Sequence, residues 1–381
     1  MWKRCGLKEV LTMTQIIKNA RQINGETVDI AVKDGIIQEI TEKYAGDGVE
    51  IKPGEDVYIS PGWIDLHTHA FPKYEPYCAE PDEIGFRTGV TTIIDAGSSG
   101  ADDIDEFYEI AQQAKTRVLS LLNISRSGLR HLNELADLST ISLPAIEAAV
   151  EKHPDFIVGL KARMSASVVE MNDIKPLQLA KQLRLKEPLP MMVHIGSGPP
   201  AIGEVLDVLE AGDVVTHCFH QKQDNHIFAT PEAVHPALLR AMKRGVHLDV
   251  GHGTSSFSFP IAKQAKEAGI AFDTIGTDIY QRNQLHGPVY DMATTLTKFL
   301  ALGHSLQEII WAVTGAPAAI IGRDDLGVLR EGCPADATFF TVEKKPMQLM
   351  DSYGHTMESP FSIKVKAVMI GGEYIELETS N

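Results

Sequence analysis

The sequence predicts an α/β protein: a (β/α)8 TIM barrel over residues 56–330, with a small β-sandwich domain built from both termini, residues 1–55 and 331–381. Three observations carry this reading. Both ends of the chain are β-rich, the middle alternates short β-branched runs with helical patterns, and the middle holds eight candidate strands. The length of 381 residues accommodates a barrel of roughly 250 residues and a smaller unit beside it.

The N-terminal part opens with Ile16-Ile17, then Val28 to Val32, an Asp34-Gly35 turn and Ile36-Ile37. Asp-Gly between two apolar runs signals a hairpin. At the other end, Ala337 to Val342 and Ile363 to Ile370 read as strands, followed by the Gly371-Gly372 turn. The segment Met1 to Thr12 carries Lys3, Arg4, Lys8 and Glu9 without a sustained apolar core, so it reads as a poorly ordered extension or an over-long start-site assignment and not as a signal peptide.

Within the middle, the expected strands are Val57–Leu66, Val90–Ala96, Arg117–Ile124, Phe156–Lys161, Met191–Ile195, Val214–Cys218, Val246–Val250 and Thr274–Thr277. Expected helices include Ile104 to Lys115 and Ser142 to Lys152. Eight such units favour closure into a barrel over an open sheet.

Composition narrows the function classes. The formal charge of −16, from 35 basic and 51 acidic side chains, argues against nucleic acid or an anionic membrane as partner. No apolar run approaches the roughly 18 to 20 residues needed to span a bilayer. Cys5, Cys78, Cys218 and Cys333 are scattered, with no CxxC pair, which fits a cytoplasmic, reducing location.

The residues able to hold metal fall at the C-terminal ends of expected strands, where barrel enzymes build their sites. His67 and His69 close the first strand two residues apart, so both imidazoles face the same side. His194 ends the fifth strand, His217 the sixth and Asp278 the eighth. Lys161 ends the fourth, where an ammonium in an apolar barrel mouth is costly. A salt bridge to Asp95 or Asp249 would accommodate it; so would reaction with carbon dioxide to a carbamate, whose anionic oxygens bridge two metal ions. Imidazole and carboxylate donors suit zinc, although other divalent metals occupy similar sites.

Other candidates lie around this set. Arg163, two residues past Lys161, matches a substrate carboxylate or a surface salt bridge. His220 and His252 follow the sixth and seventh strands, and each is a substrate contact or an ordinary loop histidine. Tyr280, Arg282 and His286 lie on the long loop after Asp278 and are further candidates for substrate contact. Cys218 reads as packing, since nothing nearby forms a nucleophile pair.

Taken together, Pro61 to His69 (Pro-Gly-Trp-Ile-Asp-Leu-His-Thr-His), Lys161, His194, His217, Asp278 and the late segment containing Pro317-Ala318, Gly327-Val328-Leu329, Gly332 and Ala335-Asp336 resemble the amidohydrolase superfamily. The resemblance covers nearly the whole chain. It implies a two-metal hydrolase in which His67, His69 and Asp278 hold one ion, His194 and His217 the other, and carboxylated Lys161 with a hydroxide bridges them. It further implies Asp278 as the proton acceptor and donor, a small-molecule substrate, and association into a homo-oligomer.

Departures from individual branches select among reactions. Dihydroorotases carry an arginine two residues after the second histidine of the first strand, where this chain has Phe71. Bacterial adenine deaminases and acetylglucosamine-phosphate deacetylases present a glutamate in place of Lys161. Ring openers and deacylases of the dihydroorotase-like group remain, and the missing first-strand arginine, Arg163 as another carboxylate anchor and the extended loop after Asp278 favour deacylation, such as deacetylation, of a small N-acyl or O-acyl acid. A cyclic amide hydrolase of the dihydroorotase or hydantoinase type is the alternative, and a metal-free scaffold homologue is a further one that the complete ligand set argues against.

Overall fold

In the computed structural model, residues 13–183, 185–223 and 225–377 are described. The expected extension of Met1 to Thr12 lies outside them. The strands of both chain ends join in one mixed sheet of eight strands, in which Tyr58–Pro61 pairs parallel with Gln15–Gln22 and antiparallel with Ala337–Glu343. The Asp34-Gly35 hairpin links Thr27–Lys33 to Ile36–Thr41 as expected, and Gly35 takes a φ of 79° that the turn requires. The hairpin of Met347–Met350 and Thr356–Ser359 stands apart from this terminal sheet.

Seven strands form the second sheet, parallel and in sequential order: β1 (Trp63–Thr68), β2 (Val90–Ala96), β3 (Arg117–Asn123), β4 (Ile157–Met164), β5 (Met191–Ile195), β6 (Val214–Thr216) and β7 (His247–Asp249). The expected strand Val57–Leu66 is divided at Gly62. Pro61 has no amide hydrogen, and the Gly62 amide turns to Asp336 O at 2.9 Å, so the chain leaves one sheet and enters the other. The next segment, residues 274–279, is not a continuous strand but bonds to both sheet edges. Val250 N donates to Thr274 O at 3.0 Å on the β7 side, and Asp278 N donates to His67 O at 2.7 Å on the β1 side. Single parallel bridges join Asp249 to Thr274 and Thr68 to Ile279.

Helices follow the strands, among them Ile104–Ala111, Leu143–Lys152, Ile202–Val208, Pro236–Arg244 and Phe259–Glu267. The helix expected over Ser142 to Lys152 runs over Leu143–Lys152, and Ser142 caps it through its side chain. The helix expected to reach Lys115 stops at Ala111 instead, because the amides of Lys115 and Thr116 are bound by Asp82 Oδ1 at 3.0 and 2.9 Å.

Alternation along the strands gives the parallel sheet two apolar faces. One packs against the helices through Phe107, Ile146, Leu177, Leu206, Leu238 and Phe299. The other gathers Ile64, Leu66, Ile94, Leu119, Leu121 and Met192, closed by Ala318, Ile321 and Leu326. Thr338 links the two sheets, accepting from Trp63 N at 3.1 Å and donating to Gly89 O at 2.9 Å. Among the described residues no helix is long and apolar enough to cross a membrane.

Candidate active site

One cavity is lined by all six expected ligands, His67, His69, Lys161, His194, His217 and Asp278, together with Tyr77, Arg163, Thr254, Ser255, Ser256 and Tyr280. Lys161 Nζ lies 3.1 Å from His67 Nε2 and 3.2 Å from Met192 Sδ. Asp278 Oδ1 is 3.0 Å from His69 Nε2 and 3.5 Å from His67 Nε2. The rings of His194 and His217 meet edge to face with centroids 4.4 Å apart. Donor atoms of His67, His217 and Asp278 all fall within 4.8 Å of one another.

Hydrogen bonds fix which ring nitrogens face inward. Thr216 Oγ1 donates to Asp249 Oδ2 at 2.6 Å, so at its 2.9 Å contact with His67 Nδ1 it must accept, which leaves the ring lone pair on Nε2, the atom that faces Lys161 Nζ. The carbonyl of Gly251 accepts from His217 Nδ1 at 2.6 Å, with the same result. His69 Nδ1 pairs with Ser98 Oγ at 2.8 Å, and Asp95 holds Ser98 through its amide at 2.7 Å. Such outer contacts are what orient imidazoles for a metal.

Burial governs the electrostatics. It pushes His67 down to about 4, assisted by Lys161, and holds His194 and His217 well below the usual histidine range, so the rings are neutral near pH 7. Burial alone would raise Asp278, but His67 and His69 outweigh it and hold the carboxyl below its ordinary range. Lys161 is pushed down to about 7 by burial, against the opposing pull of Asp278 and Asp249. Neutral imidazoles with inward lone pairs, an ionised carboxylate and a readily deprotonated amine make a donor set that fits divalent metal ions. His217 and Asp278 also adopt left-handed backbone, with φ of 69° and 53°, which is uncommon for such residues and concentrates at functional sites.

No ion pair joins Lys161 to Asp95 or Asp249 among the described residues. Asp95 is occupied by the amides of Ala70 and Ser98, and Asp249 accepts from Thr216, Thr274 and Gly276. Arg163 reaches the cavity with Nε 3.5 Å from Glu134 Oε1, while its buried Nη1 has no hydrogen-bond partner. Glu134 is fully enclosed, and burial pushes it up to about 7 against the pull of Arg163.

Of the other candidates, Tyr280 lines the cavity, its hydroxyl 2.6 Å from Thr254 Oγ1. His220, His252 and His286 do not. His220 is buried and its Nδ1 accepts from the Lys222 amide, His252 is buried against Lys298 and Phe257, and His286 ends the helix Gln281–His286 exposed to solvent. Arg282, also on that helix, is exposed as well. Sequence reasoning did not assign Tyr77, whose ring lies 5.4 Å from that of His69, nor the wall of Thr254 to Ser256. Asp249 had a signal, being an acid at a strand end, but its work on His67 through Thr216 emerges only from the fold.

The model of the amidohydrolase family matches residues 58–375. A deacetylase of Enterococcus faecalis is 44% identical over 362 residues, 94% of this chain and 98% of its own. A deacetylase of Brucella anthropi is 36% identical over 355 residues, 92% of this chain and 88% of its own. Among solved structures, that of an adenine deaminase superposes with a TM-score of 0.93 at 43% identity, covering 96% of this chain and 100% of that one. That of a dihydroorotase superposes with a TM-score of 0.87 at 31% identity, covering 96% and 98%. The chain belongs to the amidohydrolase family.

Proposed function

We propose that the protein is a metal-dependent hydrolase that removes a small acyl group, such as acetyl, from an amino or hydroxy acid. The observation that carries this reading is the single cavity in which six potential ligands stand beside Arg163, a cation with an unpaired guanidinium nitrogen. The deacetylases of similar sequence support it.

In this reading His67, His69 and Asp278 would hold one divalent ion and His194 and His217 a second, with Lys161, carboxylated by carbon dioxide, as a further ligand. Zinc suits the donor set. Such ions, when bound, lower the pKa of water and polarise a carbonyl. The chain supplies the rest. Asp278, ionised at neutral pH, accepts a proton at its carboxylate and returns it to the leaving nitrogen or oxygen. Arg163 holds the substrate carboxylate and so orients the acyl group toward the histidines. Tyr77, Tyr280 and the wall of Thr254 to Ser256 bound the acid portion.

The proposed scaffold is a closed (β/α)8 barrel, with residues 274–279 as its eighth strand. Their bonds to both sheet edges support it. The terminal strands make the accompanying small β-domain, proposed as a sandwich from both ends, and the division of the chain at Gly62 supports a boundary there in place of residue 55. Cys78, Cys218 and Cys333 carry free thiols, which supports a cytoplasmic setting.

The test is a screen of acetylated amino and hydroxy acids beside hydantoins, dihydroorotate and adenine. Turnover of acetylated acids is the expected result. The likeness to a dihydroorotase structure favours cyclic amides as the second reading, and turnover of those alone would replace the first. Turnover of adenine alone would replace both.

A further inference from the structure

Gly251 and Gly253 both have left-handed backbone, with φ of 50° and 54°. A side-chain carbon at Gly253 would meet Asp278 Oδ2, and one at Gly251 would meet Thr216 and His217. The chain therefore runs against two of the proposed ligands before it presents Thr254, Ser255 and Ser256 to the cavity. A backbone so conformed, with Thr254 and Ser255 exposed, needs to be held from elsewhere.

The support comes from the far end of the chain. Residues 351–355 form the turn between Met347–Met350 and Thr356–Ser359. Asp351, 1% exposed, shapes it by accepting from the amides of Tyr353 and His355 at 2.8 and 2.9 Å, and it also accepts from Phe259 N at 2.8 Å. Ser352 Oγ donates to Gly253 O at 2.9 Å and accepts from Phe257 N at 3.3 Å, while Ser352 N donates to Phe257 O at 3.0 Å. Tyr353 Oη donates to Ser255 O at 2.8 Å and accepts from Gln221 N at 3.2 Å. From inside, Lys298 Nζ donates to His252 Nε2 at 2.8 Å and to Pro288 O at 2.7 Å, tying the same wall to the loop that follows Asp278.

We infer that the turn of residues 351–355 is a clamp on the cavity wall, and that Ser352 and Tyr353 are positioning residues for substrate binding. Their bonds reach the backbone of residues 252–257 and of Gln221, and none of them is made to a proposed metal ligand. The clamp thus acts on how the acid portion is received and not on metal loading. The inference rests on the reading that this wall bounds the substrate.

Ser352→Ala and Tyr353→Phe each remove one hydroxyl and keep the rest of the side chain. In the full-length, zinc-loaded protein, hydrogen exchange at the amides of residues 253–258 should quicken about tenfold while distant strands stay protected. KM for an acetylated acid should rise about tenfold, with kcat and bound metal within about twofold of wild type. Unchanged exchange at 253–258 overturns the clamp, even if the melting temperature falls. Faster exchange with unchanged KM overturns the positioning role. If the wild type acts on no acylated acid, that failure belongs to the proposed reaction, and the exchange measurement alone decides the clamp.

Discussion

Lys161 Nζ lies 3.1 Å from His67 Nε2, although 94 positions separate the two residues in the chain. The amine sits among imidazoles, 1% exposed and pushed by burial down to about 7, so a substantial fraction is neutral at physiological pH. A neutral amine is the form that reacts with carbon dioxide. Lys161→Ala should therefore bind about one metal equivalent or less, with partial recovery of loading and turnover in acetate or propionate. Elemental analysis of the purified variant checks this, and full metal content without added acid would exclude a bridging role.

Asp278 touches His67 and His69 and is held ionised by them. Asp278→Asn should fold, with a melting curve within a few degrees of wild type, and lose about 10²- to 10⁴-fold in kcat. Steady-state kinetics on the best acylated acid measures it. Turnover at the wild-type rate would remove Asp278 from proton transfer.

Arg163 Nη1 is buried without a partner beside the ligand set. Arg163→Gln should raise KM for acylated acids about 10- to 100-fold and leave acylated amines that lack a carboxylate unchanged. Arg163→Lys, which keeps the charge but not the planar fork, should fall between them. An equal loss on both substrate types would show that Arg163 does not read the carboxylate.

Glu134 gives a prediction in pH. Burial raises it to about 7 in the folded chain, from an ordinary value of 4.5. Between these values the unfolded state has released the proton and the folded state has kept it, so Glu134 makes stability fall as pH rises through this window. Glu134→Gln removes that slope. Its stability relative to wild type should improve with pH from about 4.5 to 7 by up to roughly 3 kcal/mol, then level off. Urea unfolding at several pH values tests this, and a pH-independent difference would contradict it.

The sequence made the strand-end placements readable, because a histidine or acid closing a β-branched run needs only period-two alternation to be assigned a side. His67, His69, His194 and His217 were legible in that way, and Lys161 through the cost of burying its charge. Tyr77, Glu134 and Thr254 to Ser256 were not, since they lie on loops whose paths depend on distant partners such as residues 351–355. The same limit explains the substrate candidates that lie outside the cavity. His252 follows the seventh strand as expected, yet Lys298 and Phe257 claim its ring, and neither contact has a local signature. In the fold, β2 and β5 emerged with their expected ends, whereas Val57–Leu66 concealed a change of sheet at Gly62 that only the Asp336 contact reveals.

Anomalous diffraction at the zinc edge, from crystals grown with zinc and bicarbonate, tests the central claim most directly. Two peaks should appear in the one cavity, the first among His67, His69 and Asp278 and the second beside His194 and His217, with carboxylate density on Lys161 between them. A cavity without anomalous density, or zinc bound only at other residues, would contradict the two-metal account.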